Sequence, residues 1–211
     1  MTQTIPYLSW RSAIKNYDSN KKLTSSQVEL LTEAARMAPT SYGLQPIGLL
    51  QIDNPALREK LQAAAYNQPQ LTEASHVFVL TARTEITQKD IDSFIQATAE
   101  QRSVDSSSLD GLRDMMSQSL LSRTAEAQAH WAAKQAYLVL GTMLTVAAIN
   151  NIDTTPMEGF DVAQADEILN LKETGFTSIV ILTAGFRAVE DRYSKLPKVR
   201  KPVDTFLTTV L

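Results

Sequence analysis

The sequence predicts a layered α/β or α+β fold, and three observations carry that reading. Two runs, His76–Ala82 (HVFVLTA) and Thr177–Ala184 (TSIVILTA), are β-branched, aromatic and apolar, as central strands are. Stretches with apolar residues at helical spacing outnumber the strands and separate them. The longest, Arg123–Asn150, is amphipathic in its first half and apolar almost all round in its second, which implies burial on every side.

In chain order, Thr24 and Gln27 stand at capping-box spacing and open the first clear helix. Its Val28, Leu31, Ala35 and Ala38 share a face, and Pro39 stops it. Ile47–Ile52 reads as a short buried strand, closed by the turn Asp53-Asn54-Pro55. Pro55 suits the first turn of a helix running to about Tyr66. After the strand at His76–Ala82, a polar helical region extends from about Thr87 to Ser122, broken near Asp105–Ser108. Its few large apolar anchors make it the stretch expected to move most. Asp161 can cap a further helix through Leu169, and Val203–Leu211 could form a terminal strand. No linker or repeat divides the chain, so a single domain over residues 1–211 is expected.

Composition removes whole classes of function. The 211 residues contain no cysteine, which excludes disulfides, iron–sulfur clusters, thiolate nucleophiles and cysteine-based zinc sites. The two histidines, His76 and His130, are not in an H-x-x-x-H arrangement, so no histidine-rich metal site is expected. His76 opens an apolar strand and reads as a hydrogen-bonded structural histidine. A net charge of −3 gives no footprint for nucleic acid. Met1–Trp10 lacks the apolar core of a secretory signal. Ala136–Ile149 is short for a membrane span of about 20 residues, so a cytoplasmic protein is expected. The seven glycines give neither G-x-G-x-x-G nor a phosphate-binding P-loop, so a nicotinamide nucleotide would have no Rossmann crevice.

Four segments could carry chemistry. Arg11-Ser12-Ala13-Ile14-Lys15-Asn16-Tyr17-Asp18 offers two cations and a hydroxyl around the start of a short helix, either a phosphate cradle or a solvated basic turn. Pro39-Thr40-Ser41-Tyr42-Gly43-Leu44-Gln45-Pro46 is a small-residue loop between helix and strand, ligand-lining or merely connecting. Asn67-Gln68-Pro69-Gln70 supplies amides suited to the edge of a heteroaromatic ring, or forms a polar loop. The fourth is split between Pro156-Met157-Glu158-Gly159-Phe160 and Leu196-Pro197-Lys198-Val199-Arg200. There a glycine turn could present N–H groups and two cations could neutralise phosphate.

Taken together and in register, these segments closely resemble the nitroreductase family of FMN-dependent NAD(P)H oxidoreductases. Asn67–His76 (with E-A-S-H) and Ala133-Lys134-Gln135-Ala136-Tyr137 add to the likeness, which runs from Arg11 to Arg200. The resemblance implies an α+β, three-layer α/β/α fold. Its central sheet would be mixed and mainly antiparallel, flanked by helices, in an intimate homodimer with FMN at the interface. The long apolar helix would then be interface core, and the C-terminal segment would embrace the partner.

The resemblance also assigns roles. Arg11, Lys198 and Arg200 would hold the FMN phosphate, supported by Ser12 and Ala13. Lys15 would reach the pyrimidine side of the flavin, where a cation stabilises the charge that develops on reduction. Asn67 and Gln70 would bond the pyrimidine edge. From the partner chain, Pro39, Thr40, Ser41 and Gly43 would line the cofactor, and Gln135 belongs to the same cofactor-binding set. Pro156, Met157, Glu158 and Gly159 would lie against the ring, with a backbone N–H near Glu158 directed at N5. FMN itself would do the chemistry, with Lys15 and Glu158 in support and no catalytic side chain or metal.

The implied activity is passage of hydride from NAD(P)H through FMN N5 to nitroaromatics, quinones or similar acceptors, by ping-pong kinetics. The alternative is a flavin-binding or flavin-delivery protein with little turnover. Two departures stand out: Gln70 replaces a lysine found in some members, and Ile47 an aromatic found in many.

Overall fold

A computed structural model describes residues 4–210. Its centre is a four-stranded sheet: β1 (Ile47–Gln51), β2 (His76–Arg83), β4 (Phe176–Gly185) and β3 (Asp153–Met157), in that spatial order. All three pairings are antiparallel, with a register shift between Leu80 and Thr81. The two strands expected to be central are central, and both are buried along nearly all their length.

Alternation along the strands divides the core in two. Phe78, Leu80, Val180 and Leu182 point to one face, where they pack on Leu31 and Ala35 of α2 (Ser25–Arg36) and on Val139 and Met143 of α7 (Ala125–Ile149). Val77, Val79 and Ile181 point to the other, against Leu61 of α3 (Pro55–Ala64), Leu71 of α4 (Gln70–Glu73) and Ala165 of α8 (Val162–Ile168). This is the helix–sheet–helix layering expected.

Local signals set several boundaries. Thr24 and Gln27 close a reciprocal capping box on α2. Asn54 and Asp161 accept backbone N–H groups at the starts of α3 and α8. The 88–121 region is two helices, α5 (Gln88–Arg102) and α6 (Asp110–Leu121), joined by a short 3-10 turn at Ser106–Leu109.

The structure corrects five expectations. A helix, α1 (Thr4–Trp10), precedes α2. The Thr87–Ser122 region does have apolar anchors: Ile91, Ile95, Met116 and Leu120 form a small core with Ile86 just ahead of it. Asp153–Met157 is a strand, made one by its pairing with β4 rather than by an apolar run. Val203–Phe206 is a short helix, α9, rather than part of a terminal strand, and Leu211 lies outside the described residues. Finally, α7 is not covered on every side: Tyr137, Leu138 and Ile149 are exposed in the single chain. It is long and apolar enough to cross a membrane, yet it lies across the sheet and α2 as a core helix does.

Candidate functional site

Residues 11–18, rather than opening a short helix, form an extended segment laid beside the β3 edge and held by contacts to β3, β4, Arg187 and α4. Thr155 Oγ1 donates to Ile14 O at 2.7 Å. The Tyr17 hydroxyl, fully enclosed, lies 3.0 Å from both Thr183 O and Thr183 Oγ1. Tyr17 pairs with Arg187 as an isolated antiparallel bridge, and Tyr17 N donates to Glu73 Oε2 at 3.1 Å. Burial pushes the phenol well above its usual range. Gly185 makes the approach possible, because a Cβ there would stand 2.9 Å from Tyr17 Cδ1 and 3.1 Å from Ser75 N.

The C-terminal cations reach the same place. Asp191, with no exposed surface, accepts Lys15 N at 2.7 Å and Asn16 N at 3.2 Å on Oδ1, and Ser194 N at 2.7 Å on Oδ2. Although burial pushes the other way, these N–H groups hold its carboxyl below the ordinary range. Lys198 Nζ donates to Arg11 O at 2.5 Å. Arg11, Ser12, Ala13, Lys198 and Arg200 thus line one open cavity of about 410 Å³.

That cavity is cationic and uncompensated. Among the described residues, Arg11, Lys15, Lys198 and Arg200 form no ion pair with a carboxylate. Arg11 Nε is buried without a hydrogen-bond partner. Burial, then the neighbouring Arg200, lowers the Arg11 pKa; burial, then Arg11 and Arg200, lowers that of Lys198. Asp153, whose charge acts on Arg11, is buried and paired with Arg187, which also lies 4.4 Å over the Trp10 ring. Such an arrangement favours an anion.

The turn after β3 adjoins this segment through Thr155. Tyr137 donates to Glu158 Oε1 at 2.5 Å, and Gln68 Nε2 donates to Gly159 O at 2.9 Å. Partial burial and the Glu158 bond raise the Tyr137 pKa to about 12. The N–H groups of Glu158 and Gly159 have no acceptor among the described residues. Asn67 sits in a left-handed turn (φ 58°) beside Gln68, and Gln70 is buried with Oε1 unpartnered. The 11–15, 67–70, 156–159 and 198–200 groups therefore gather along the β3 edge.

Pro39, Thr40, Ser41 and Gly43 do not join them. They precede β1, the opposite edge of the sheet, where Tyr42, Gly43 and Gln45 all take positive φ. Gln135 belongs to that group: it accepts Ser41 N at 2.8 Å and donates to Trp131 O at 2.9 Å, so both ends of its amide are engaged within the chain. His76 is hydrogen-bonded, as expected, sharing a 3.0 Å bond with Ser75 Oγ.

A sequence model of the Nitroreductase family matches residues 8–186. The chain belongs to this family. The oxygen-insensitive NAD(P)H nitroreductase of Enterobacter cloacae is 30% identical over 212 residues, covering 94% of this chain and 95% of that one. Among solved structures, a candidate nitroreductase of Bacillus subtilis, ydfN, superposes with a TM-score of 0.87 at 22% identity and covers 98% of both chains. A candidate nitroreductase of Exiguobacterium sibiricum, crystallised in complex with FMN, gives 0.82 at 23% identity, covering 100% of this chain and 98% of that one. These last two show that this nitroreductase-family member has the family fold.

Sequence reasoning did not single out Asp191, Glu73 or Thr155, which hold the cation-bearing segments in place. Asp191 had one signal, a serine three residues on, the spacing of an Asp-led turn. Glu73 stood only as the first residue of E-A-S-H, with no role assigned, and Thr155 had no signal, because their roles depend on contacts distant in sequence.

Proposed function

We propose that this single-domain chain is a cytoplasmic, homodimeric, FMN-dependent oxidoreductase that takes electrons from NAD(P)H and reduces nitroaromatics, quinones or similar small acceptors. The observation that carries the reading is the unpaired cation cluster of Arg11, Lys198 and Arg200, with the orphaned Arg11 Nε among them. It fits the phosphate of FMN in charge and in donors. The free N–H groups of Glu158 and Gly159 and the unpartnered Gln70 Oε1 fit a ring with polar edges lying nearby.

When bound, FMN supplies two-electron transfer through N5, between a nicotinamide and an acceptor that take turns at the same face. The protein's part is to hold and bias. Arg11, Lys198 and Arg200 anchor the phosphate, with Ser12 and Ala13 beside them. Lys15 places a cation toward the pyrimidine side, which favours the reduced state. Asn67 and Gln70 orient the ring edge. Pro156 and Met157 continue β3 under the turn, and Glu158 and Gly159 present their N–H groups.

A second chain completes the site in this reading. Pro39, Thr40, Ser41 and Gly43 lie at the far edge of their own sheet, and so suit the cofactor of the partner better than their own. The exposed α7 face and the exposed apolar side chains Leu196, Val199, Val203, Phe206, Leu207 and Val210 supply surface for that association.

The deciding experiment is an anaerobic titration of the FMN-loaded protein with NADH and then NADPH, following visible absorbance. Full bleaching with one equivalent per FMN, reversed by a nitroaromatic or a quinone, supports the reductase. Tight FMN binding with no bleaching by either nucleotide would leave a flavin carrier instead.

A further inference from the structure

We propose that Asp191 is a positioning residue that locks the two halves of the cation cradle together, so that recognition of a phosphate depends on a carboxylate that does not touch it. The inference rests on the flavin reading of the cradle above.

The cradle is made from two pieces of chain far apart in sequence, Arg11–Asn16 and 191–200. The first is anchored to the sheet through Ile14 and Tyr17. The second is not: beyond Asp191, residues 192–200 contain no buried side chain. Its direct ties to the first piece are few. Ser12 Oγ to Tyr193 O is long, at 3.5 Å, and Lys198 Nζ to Arg11 O involves an exposed lysine that would also face the anion. The buried tie is Asp191, whose Oδ1 takes two N–H groups from one piece while its Oδ2 takes one from the other.

A carboxylate is the only side chain of this size that accepts at both ends. Among the described residues it forms no ion pair, so its burial rests on these N–H groups. An asparagine has nearly the same shape but one accepting end. Whichever way its amide turns, an NH₂ group meets an N–H group, either those of Lys15 and Asn16 or that of Ser194. Asp191→Asn therefore loses either the bonds to the first piece or the Ser194 bond that turns residues 194–200 toward it, and in both cases the cradle loosens with little change in volume.

The test compares FMN with riboflavin, which lacks the phosphate, by quenching of flavin fluorescence on wild-type and Asp191→Asn protein. The wild type should prefer FMN. Asp191→Asn should lose roughly tenfold or more of its FMN affinity, the scale of a charge-assisted contact, while riboflavin affinity is unchanged. A general loss of structure would weaken both flavins alike, and that result overturns the proposal. So does an FMN preference fully retained in the variant, which leaves the flavin reading intact. A wild type that binds neither flavin overturns the flavin reading and takes this inference with it. Should Asp191→Asn fail to fold, amide exchange on the wild type decides. The N–H groups of Lys15, Asn16 and Ser194 should slow together on adding FMN, and no slowing overturns the role assigned to Asp191.

Discussion

Lys198 Nζ meets the main-chain oxygen of Arg11 at 2.5 Å, joining two cations that lie 187 positions apart in the chain. Among the described residues neither side chain has a carboxylate partner, so the contact holds like charges together, and an anion would relieve their repulsion.

Replacing Arg11 or Arg200 with alanine should therefore weaken FMN binding by roughly ten- to a hundredfold, the range for a charge-assisted hydrogen bond. Both variants should be more stable, or no less stable, than the wild type in the absence of flavin, since a repulsive charge is gone. Fluorescence titration and thermal melts check the two halves separately; an unchanged FMN dissociation constant would sink the phosphate assignment.

Gly185 and Tyr17 are matched in space. Gly185→Ala forces a Cβ against a ring and a backbone nitrogen, and should cost about 1–3 kcal/mol, as overpacking does. Tyr17→Phe empties the hydrogen bonds to Thr183 and should cost about 1–2 kcal/mol. Urea unfolding reads both, and a wild-type midpoint for Gly185→Ala would mean that Tyr17 has room to move.

The fold was legible wherever a local rule acted alone. Thr24 and Gln27 announced α2, and the apolar runs announced β2 and β4, because caps and β-branched runs act through near neighbours. Asp153-Thr-Thr-Pro-Met carries no such signal, and becomes a strand only through β4 beside it. Pro156 is tolerated there because β3 is an edge. The site divided the same way. The cations of the cradle stood out by type and by resemblance, whereas the contacts of Asp191, Thr155 and Glu73 exist only after folding.

Tyr137 should titrate late. Its folded pKa of about 12 lies above the ordinary phenol value, so the hydroxyl favours the folded state while protonated. That contribution is complete below pH ~10, and is lost as pH rises through about 12. The difference in 295 nm absorbance between wild type and Tyr137→Phe should appear near the upper value. A difference already complete at pH ~10 would show that neither partial burial nor the Glu158 bond raises the phenol.

Asp191 has the opposite sign. Its pKa is lowered on folding, so its contribution is present above the ordinary carboxylate range and fades as pH falls through the depressed value. Wild-type protein should therefore lose stability below pH ~4 more steeply than Asp191→Asn does. Parallel acid-unfolding curves for the two would contradict this.

The loop at Pro39–Gly43 and the cradle at Arg11 stand on opposite edges of one sheet. In the dimer proposed above, each cofactor would bridge two chains, and assembly and cofactor affinity would become one linked equilibrium. FMN would then draw chains together, and dilution alone would expel it. Apparent affinity would rise with protein concentration without any change in a single contact.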